Sequence, residues 1–373
     1  MRIRVICLLA AGCVAASVAT ASSAAEYVYG SWSGPNNAVL TQGVVPYFAA
    51  LEKDTQGSMQ WKVLAGGQLF GGPATLAGIR DRIADAGGPI IPAFTRKALR
   101  AVNVVYDLVN ASESPVVMAG AVAETFHLGC PQCQADYKKN NVVFIANYST
   151  TRFNMLCRDP IAKLADAKGR KMRVVGALGR FVKSVGAVPV GGSPAAAVEA
   201  LQRGSMDCVV GPFEWLKGYG LFDITKHVLD APLALQPTPA SLVINRDVWR
   251  QFSKAERAAL IRRAPSLVAG VTIRGYMAED TEVRAEAAKR GITVTEASAE
   301  ARQALESHKA AEPKVIAQSA KAEGVEDPEV IISTFLANVA KWEKIHARIG
   351  DDPEAFAGAL WDEVFSKLDP EKM

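Results

Sequence analysis

The chain has 373 residues, 49% of them hydrophobic and 21% charged, with a formal net charge of +4. That length makes two domains or one large one. Arg2 and Arg4 carry two of the excess charges, so the rest is near neutral, with no basic block for nucleic acid and no polybasic membrane patch.

Residues 1–25 read as a secretory signal peptide. Arg2 and Arg4 form a basic start, Val5 to Ala21 is apolar and small, and Ser22-Ser23-Ala24-Ala25 offers small residues for cleavage after Ala25. Export would place the mature protein in the periplasm. No later stretch has 18 uninterrupted apolar residues, so the mature chain is not expected to enter the membrane. Cys7 and Cys13 leave with the signal; Cys130, Cys133, Cys157 and Cys208 stay in an oxidising compartment.

Tyr27–Ser31 reads as a strand, and Asn36 to Gln56 as an amphipathic helix with Val39, Val44, Val45, Phe48 and Leu51 on its apolar face, stopped at Gly57. Met59–Leu64 is a strand, Pro73 to Arg82 a helix and Ala86–Ile91 a strand. Leu99 to Gly129 is mixed, with helix from Gly120. Val142–Tyr148 and Phe153–Cys157 are strands. In RKMRVVGALGRFVKSVGAVPV, residues 170–190, a strand, a glycine turn, a helix and a second strand follow one another. Strands joined in this way are usually parallel and buried on both faces. Arg173 lies inside the first of them, with no acidic residue between Arg170 and Val190. Such an arginine is costly unless something pairs with it.

Ser193-Pro194 caps a helix over Ala195–Arg203, and Met206–Val210 is the strand after it. Leu242–Ile244 is a short strand. A capping box at Ser253–Glu256 opens a long helical region in which Pro265 predicts a kink. Gly291 ends it, Ile292–Val294 is a strand, and 298–373 is helical and charged. Two strand–helix repeats, 27–91 and 171–210, with several crossings between them, predict two α/β lobes and a cleft.

The CPQC at Cys130–Cys133 has three readings. A thioredoxin-like redox pair wants a strand before it, and a helix precedes it here; a zinc site wants a second ligand pair; a structural disulfide needs nothing more. A Cys157–Cys208 bridge is a further expectation, since both fall in predicted strands of one lobe. Gly176-Ala177-Leu178-Gly179 lacks the third glycine of a dinucleotide fingerprint, but a helix N-terminus after a strand suits a carboxylate. His127, His227, His308 and His346 show no metal spacing, and no nucleophile, zincin or P-loop pattern occurs. Phe213, Trp215, Tyr219 and Phe222 follow a strand end at near-helical spacing, where open α/β sheets bind ligands.

The stretch LADAKGRKMRVVGALGRFVKSVGAVPVGGSPAAAVEALQRGSMDCVVGP resembles the periplasmic solute-binding proteins of tripartite ATP-independent (TRAP) transporters, the DctP-like family. The matching pattern is a DLKGxKxRV strand at Ala165–Val174, GAxPV at Gly186–Val190, and a serine-led EALQxG helix running to Gly/Pro over Ser193–Pro212. GGQLFGG at 66–72 fits the family's N-terminal GxQLG turn, and Thr55–Gly57 its TxG. A CPxC pair looks like a feature of one branch. Cys208 stands where a glycine often follows Asp207, and Gly211 where some members carry asparagine, a departure from the sugar-acid and simple dicarboxylate subtypes.

The resemblance implies a two-lobed periplasmic-binding-protein fold with a long connecting helix and a small, usually carboxylate, ligand between the lobes. On this reading residues 26–149, with 239–287 returning, form lobe I, and 150–238 form lobe II, on which 288–373 packs. The family's strand arginine falls at Arg173, a second arginine at Arg152, and a polar position after the first strand at Asn37. Trp32, Phe94, Phe213 and Trp215 are candidate walls. Glu214 is a candidate to orient a ligand hydroxyl or amine, or to help hold a cation with the ligand. The expected protein is not an enzyme and needs no cofactor or resident metal; its partners are a small organic acid and the TRAP membrane permease. Two other readings stay open: a thiol–disulfide oxidoreductase using Cys130 and Cys133, and a ligand-binding subunit for a sensor kinase.

Overall fold

A computed structural model describes residues 25–373, so the signal-peptide reading of 1–25 lies, but for Ala25 in the first strand, outside the described residues. Eleven strands form two sheets: β1 (Ala25–Gly30), β2 (Met59–Leu64), β3 (Ala86–Gly87), β4 (Val142–Asn147), β5 (Asn154–Cys157), β6 (Lys171–Arg173), β7 (Val188–Val190), β8 (Cys208–Gly211), β9 (His227–Asp230), β10 (Ala240–Asn245) and β11 (Thr293–Glu296). The first sheet has the order β2-β1-β3-β10-β4, the second β11-β9-β5-β8-β6-β7. β2, β1 and β3 are parallel, as are β8, β6 and β7, while β10 and β5 run against their neighbours.

The chain passes between the sheets three times. The segments after β4 and before β10 run side by side, with Thr150 N–H on Gln236 O and Phe153 N–H on Ala234 O. The third crossing is one long helix, α-helical over Lys254–Ala269, π-helical over Gly270–Met277 and α-helical again over Ala278–Lys289. Pro265 lies inside this helix without breaking it. At its middle, glycine permits close approach: a Cβ on Gly270 would lie 2.3 Å from Gln42 O, and one on Gly43 2.2 Å from Val271 Cγ2.

The predicted elements are present with shifts. The helix expected over 36–56 is π-helical over Val39–Val44 and α-helical over Val45–Asp54, and Val45, placed on its apolar face by periodicity, is exposed. β3 is only two residues, Ala86–Gly87, shorter than the strand expected over Ala86–Ile91. Helix starts at Pro115 rather than Gly120, and the helix Pro131–Lys139 and strand β9 carried too little periodicity to be read. β7 is an edge strand, which accommodates Pro189.

One expectation is corrected. The C-terminal helices Pro328–Ile349 and Pro353–Glu363 do not pack on the second lobe. Pro328–Ile349 lies against Pro115–Glu124 and Arg100–Asp107, and Pro353–Glu363 against Lys254–Ala269. Trp342 settles over Gly120, where a Cβ would come within 2.3 Å of its ring, and its Nε1 donates to Glu124 Oε2 at 2.9 Å. The apolar face of 328–349 needed cover, and the long helices beside the first sheet supply it.

Both cysteine pairs are bonded. Cys130 and Cys133 are buried, and Cys133 N–H donates to Cys130 Sγ at the start of the helix Pro131–Lys139. Burial removes the exposed thiolate that exchange chemistry needs, against the oxidoreductase reading. Cys157 and Cys208 sit directly opposite on β5 and β8. With a sequence separation of 51, this bridge constrains the unfolded chain more than the short one: loop entropy gives about 4 kcal/mol against about 2 kcal/mol. Chemical denaturation of the Cys157→Ser/Cys208→Ser and Cys130→Ser/Cys133→Ser variants should therefore show the larger loss for the first pair; equal losses would refute this ordering.

Candidate functional site

β6 is central to the site. It pairs with β7 on one side and β8 on the other, Arg173 facing Val190 and Val209 in register. The chain then turns at Gly176, φ +65°, where a Cβ would lie 2.5 Å from the Tyr106 ring. The glycine lets the other lobe's Tyr106 and Asp107 reach the start of the helix Ala177–Ser184.

Arg173 is 3% exposed. Its Nε donates to Gly192 O at 2.8 Å, and its guanidinium lies 5.2 Å from the centre of the Trp215 ring. Among the described residues no carboxylate pairs with it. Burial pulls its pKa down to about 10, so it stays cationic at neutral pH. The cavity it faces is walled by Trp32, Tyr106, Tyr148, Phe153, Trp215, Tyr219 and Tyr276, with Gln236 as a polar member. Trp32 and Tyr219 stack at 6.2 Å and Tyr148 and Tyr276 at 5.5 Å, while Trp215 meets Phe153 and Tyr219 edge-on. These side chains come from the loop after β1, the helix Arg100–Asp107, the crossing between β4 and β5, the helix Glu214–Gly218 with its C-cap, and the connecting helix. In this closed arrangement about 30 Å³ stays free at the centre, room for one or two waters.

Of the residues singled out in the sequence, Arg173, Trp32, Trp215 and Tyr219 are brought together. Arg152 is not: it is largely exposed and pairs with Glu113 at 2.6 Å on an outer groove. Phe213 is buried on the outer side with the Arg284 guanidinium 5.0 Å from its ring, and half-buried Phe94 lies near Gly72, away from the central cavity. Tyr106, Tyr148, Tyr276 and Gln236 escaped notice because each reads as core or turn in the sequence, and only the lobes' approach makes them neighbours.

Asn37 and Glu214 lie behind the cavity. Both are fully buried and join the lobes: Asn37 Nδ2 is 3.5 Å and Ala38 N 3.4 Å from Glu214 Oε1. An ordinary solvated carboxylate is thus excluded for Glu214. Burial, with the nearby Glu279 and Asp280 charges adding, pushes its pKa up to about 8, against the Ala38 N–H and Lys217. It is largely protonated at neutral pH. A folded-state pKa above the ordinary 4.5 means stability is fullest below about pH 4.5 and is lost as pH climbs toward about 8. Glu214→Gln cannot ionise, so its unfolding free energy relative to wild type should rise from about pH 5 to about pH 8; parallel curves would show Glu214 ionises normally.

A second contact between the lobes centres on Asp107, whose side chain is wholly buried. Its Oδ1 accepts from Ala177 N–H at 3.2 Å, at the positive end of a helix, and its Oδ2 lies 3.1 Å from Arg96 and 3.6 Å from Arg180. Arg96 and Asp107 belong to the first lobe and Ala177 and Arg180 to the second, so part of this contact exists only when the lobes meet. Asp107→Ala should shift the ligand-free protein toward an open form, seen as a larger radius of gyration in solution scattering, and weaken ligand affinity by about 10- to 100-fold. Unchanged size and affinity would show that the contact does not bias closure.

The family model described as "Bacterial extracellular solute-binding protein, family 7" (DctP) matches residues 31–319. The chain belongs to this family. Among solved structures, a TRAP periplasmic solute-binding protein from Bordetella bronchiseptica with bound (R)- and (S)-mandelate is 22% identical, with 85% of this chain and 99% of that one covered and a TM-score of 0.73. A marine-metagenome TRAP protein specific for aromatic acids, in complex with 3-hydroxybenzoate, is 19% identical over 86% of this chain and 100% of that one, TM-score 0.76. A Xanthobacter autotrophicus TRAP protein with bound β-D-galacturonate is 18% identical over 84% and 99%, TM-score 0.69. Among curated proteins no match is found. The two-lobed fold is thereby shared, and chains with this fold hold acids as different as mandelate and galacturonate. Among the described residues no helix is long and apolar enough to cross a membrane, and no cluster of three His, Cys, Asp or Glu side chains could hold a metal.

Proposed function

We propose that this family member is the periplasmic receptor of a TRAP transporter, that it captures a small organic acid between its lobes with Arg173 on the carboxylate, and that it delivers the acid to a membrane permease. The observation that carries this reading is the buried guanidinium with no carboxylate of its own. With the lobes apart, water solvates Arg173. As they close, water leaves and the ligand's two oxygens take the guanidinium fork, a geometry that lysine lacks. The ligand thereby favours the closed state through contacts the open state does not offer.

The walls narrow the class of acid. Seven aromatic side chains surround one cation, which suits a flat or apolar body carrying a single carboxylate. The mandelate and 3-hydroxybenzoate in two of the structural relatives are acids of this kind. Gly211, where the sugar-acid pattern would differ, is covered by the Trp215 ring, which a Cβ there would meet at 2.1 Å.

A thermal-shift screen of carboxylates should find the ligand, since an acid at 100 times its dissociation constant adds about 2.7 kcal/mol of stability. Calorimetry with that acid should then show Arg173→Met and Arg173→Lys losing about 30- to 5,000-fold in affinity. Arg173→Met should also leave the ligand-free protein as stable as wild type or more so, because it removes an unpaired buried charge. Near-wild-type affinity in both variants would exclude Arg173 as the carboxylate partner.

A further inference from the structure

Arg173 accounts for one end of a ligand. Gln236 raises the question of the other. It is 4% exposed and lines the same cavity, and neither its Oε1 nor its Nε2 has a hydrogen-bond partner among the described residues. Its backbone is fully engaged: Gln236 N–H donates to Thr150 Oγ1 at 3.0 Å, and Gln236 O accepts from Thr150 N–H at 3.1 Å. The residue is therefore pinned at the crossing between the lobes while its amide faces the cavity. A primary amide buried with both ends unmet is as costly as any orphaned polar group, and native proteins rarely keep one without use.

We infer that Gln236 reads a hydroxyl on the ligand, so that the receptor selects hydroxylated monocarboxylates with an apolar, ring-sized body over the same acids without the hydroxyl. This rests on the carboxylate reading of Arg173. A second carboxylate at Gln236 is disfavoured, because Arg173 is the one cation among the residues lining the cavity and a second buried anion would go unpaired. A hydroxyl suits the amide in either of its orientations, since it can donate to Oε1 or accept from Nε2. The remainder of the wall is aromatic apart from Thr150 and a few aliphatic side chains, and it takes the apolar body. Discrimination of this kind is strong because the deoxy acid leaves the amide unpaired in a dry cavity.

The test is calorimetry on matched pairs: mandelate with phenylacetate, 3-hydroxybenzoate with benzoate, and lactate with propionate. Wild type should bind the hydroxy acid of its best pair about 10- to 100-fold more tightly than the deoxy partner. Gln236→Met, close in shape and with no amide to satisfy, should bring the two within about 2-fold, mainly by weakening the hydroxy acid, with the ligand-free melting temperature unchanged or higher. Gln236→Leu gives a second folded background for the same comparison. No hydroxyl preference in wild type, or a preference that survives in both variants, would overturn the inference. So would equal weakening of both acids, which would put Gln236 on the carboxylate instead. Arg173→Met, measured in parallel, separates the two levels. If it loses binding while the hydroxyl preference ignores Gln236, only the hydroxyl assignment falls. If it binds as wild type, the carboxylate reading falls and this inference with it; if wild type binds none of the six acids, the hydroxy-acid inference alone falls.

Discussion

Keeping a guanidinium in a closed, aromatic-walled space without a counter-charge is an uphill arrangement, and Arg173 is kept there by its strand. β6 is flanked by β7 and β8, so the arginine cannot swing outward without breaking the sheet. Its one protein hydrogen bond, to Gly192 O, and the face of Trp215 offset part of the desolvation. The rest falls to whatever enters the cavity. Much of the neighbouring architecture follows from this: the glycine turn at Gly176 that lets the other lobe approach and the aromatic walls that line the cavity.

Two of the contacts that join the lobes differ in character. Asp107 is charged and meets cations and a helix end, so it attracts over distance and is matched on arrival. Glu214 is held mostly neutral behind the cavity and contributes through packing, with Gly218 leaving just enough room for its carboxyl. One is suited to drawing the lobes together, the other to the permanent seam near the connecting helix. The π-helical run of that helix sits at the seam, with Thr272 Oγ1 accepting from Ser149 N–H and so tying the helix to the crossing strands.

Much of the fold was legible in the sequence, because strand runs such as Met59–Leu64 and caps such as Ser193-Pro194 and Ser253–Glu256 are local signals. Arg173 was legible for a similar reason: a cation inside an apolar strand conflicts with its surroundings. Arg152 misled, since it lies beside a strand yet points outward to Glu113, and strand proximity alone does not fix the face. Tyr148, Tyr276 and Gln236 were not legible. Each looks ordinary within its own segment, and the cavity arises from crossings far apart in sequence. The same holds for the C-terminal helices: 298–373 reads as helical and charged, and the surface they pack on lies far away in sequence.

Two of the six tryptophans, Trp32 and Trp215, stand in the cavity wall, and the Arg173 cation lies over the ring of the second. The emission of an indole responds to the electric field across it. An anion that seats on Arg173 cancels a positive charge about 5 Å from that ring, and closure strips water from both indoles. On the proposed reading, the protein carries an optical gauge of its own occupancy, one that registers the arrival of charge at the ring's face and the drying of the cleft as separate changes in colour and brightness.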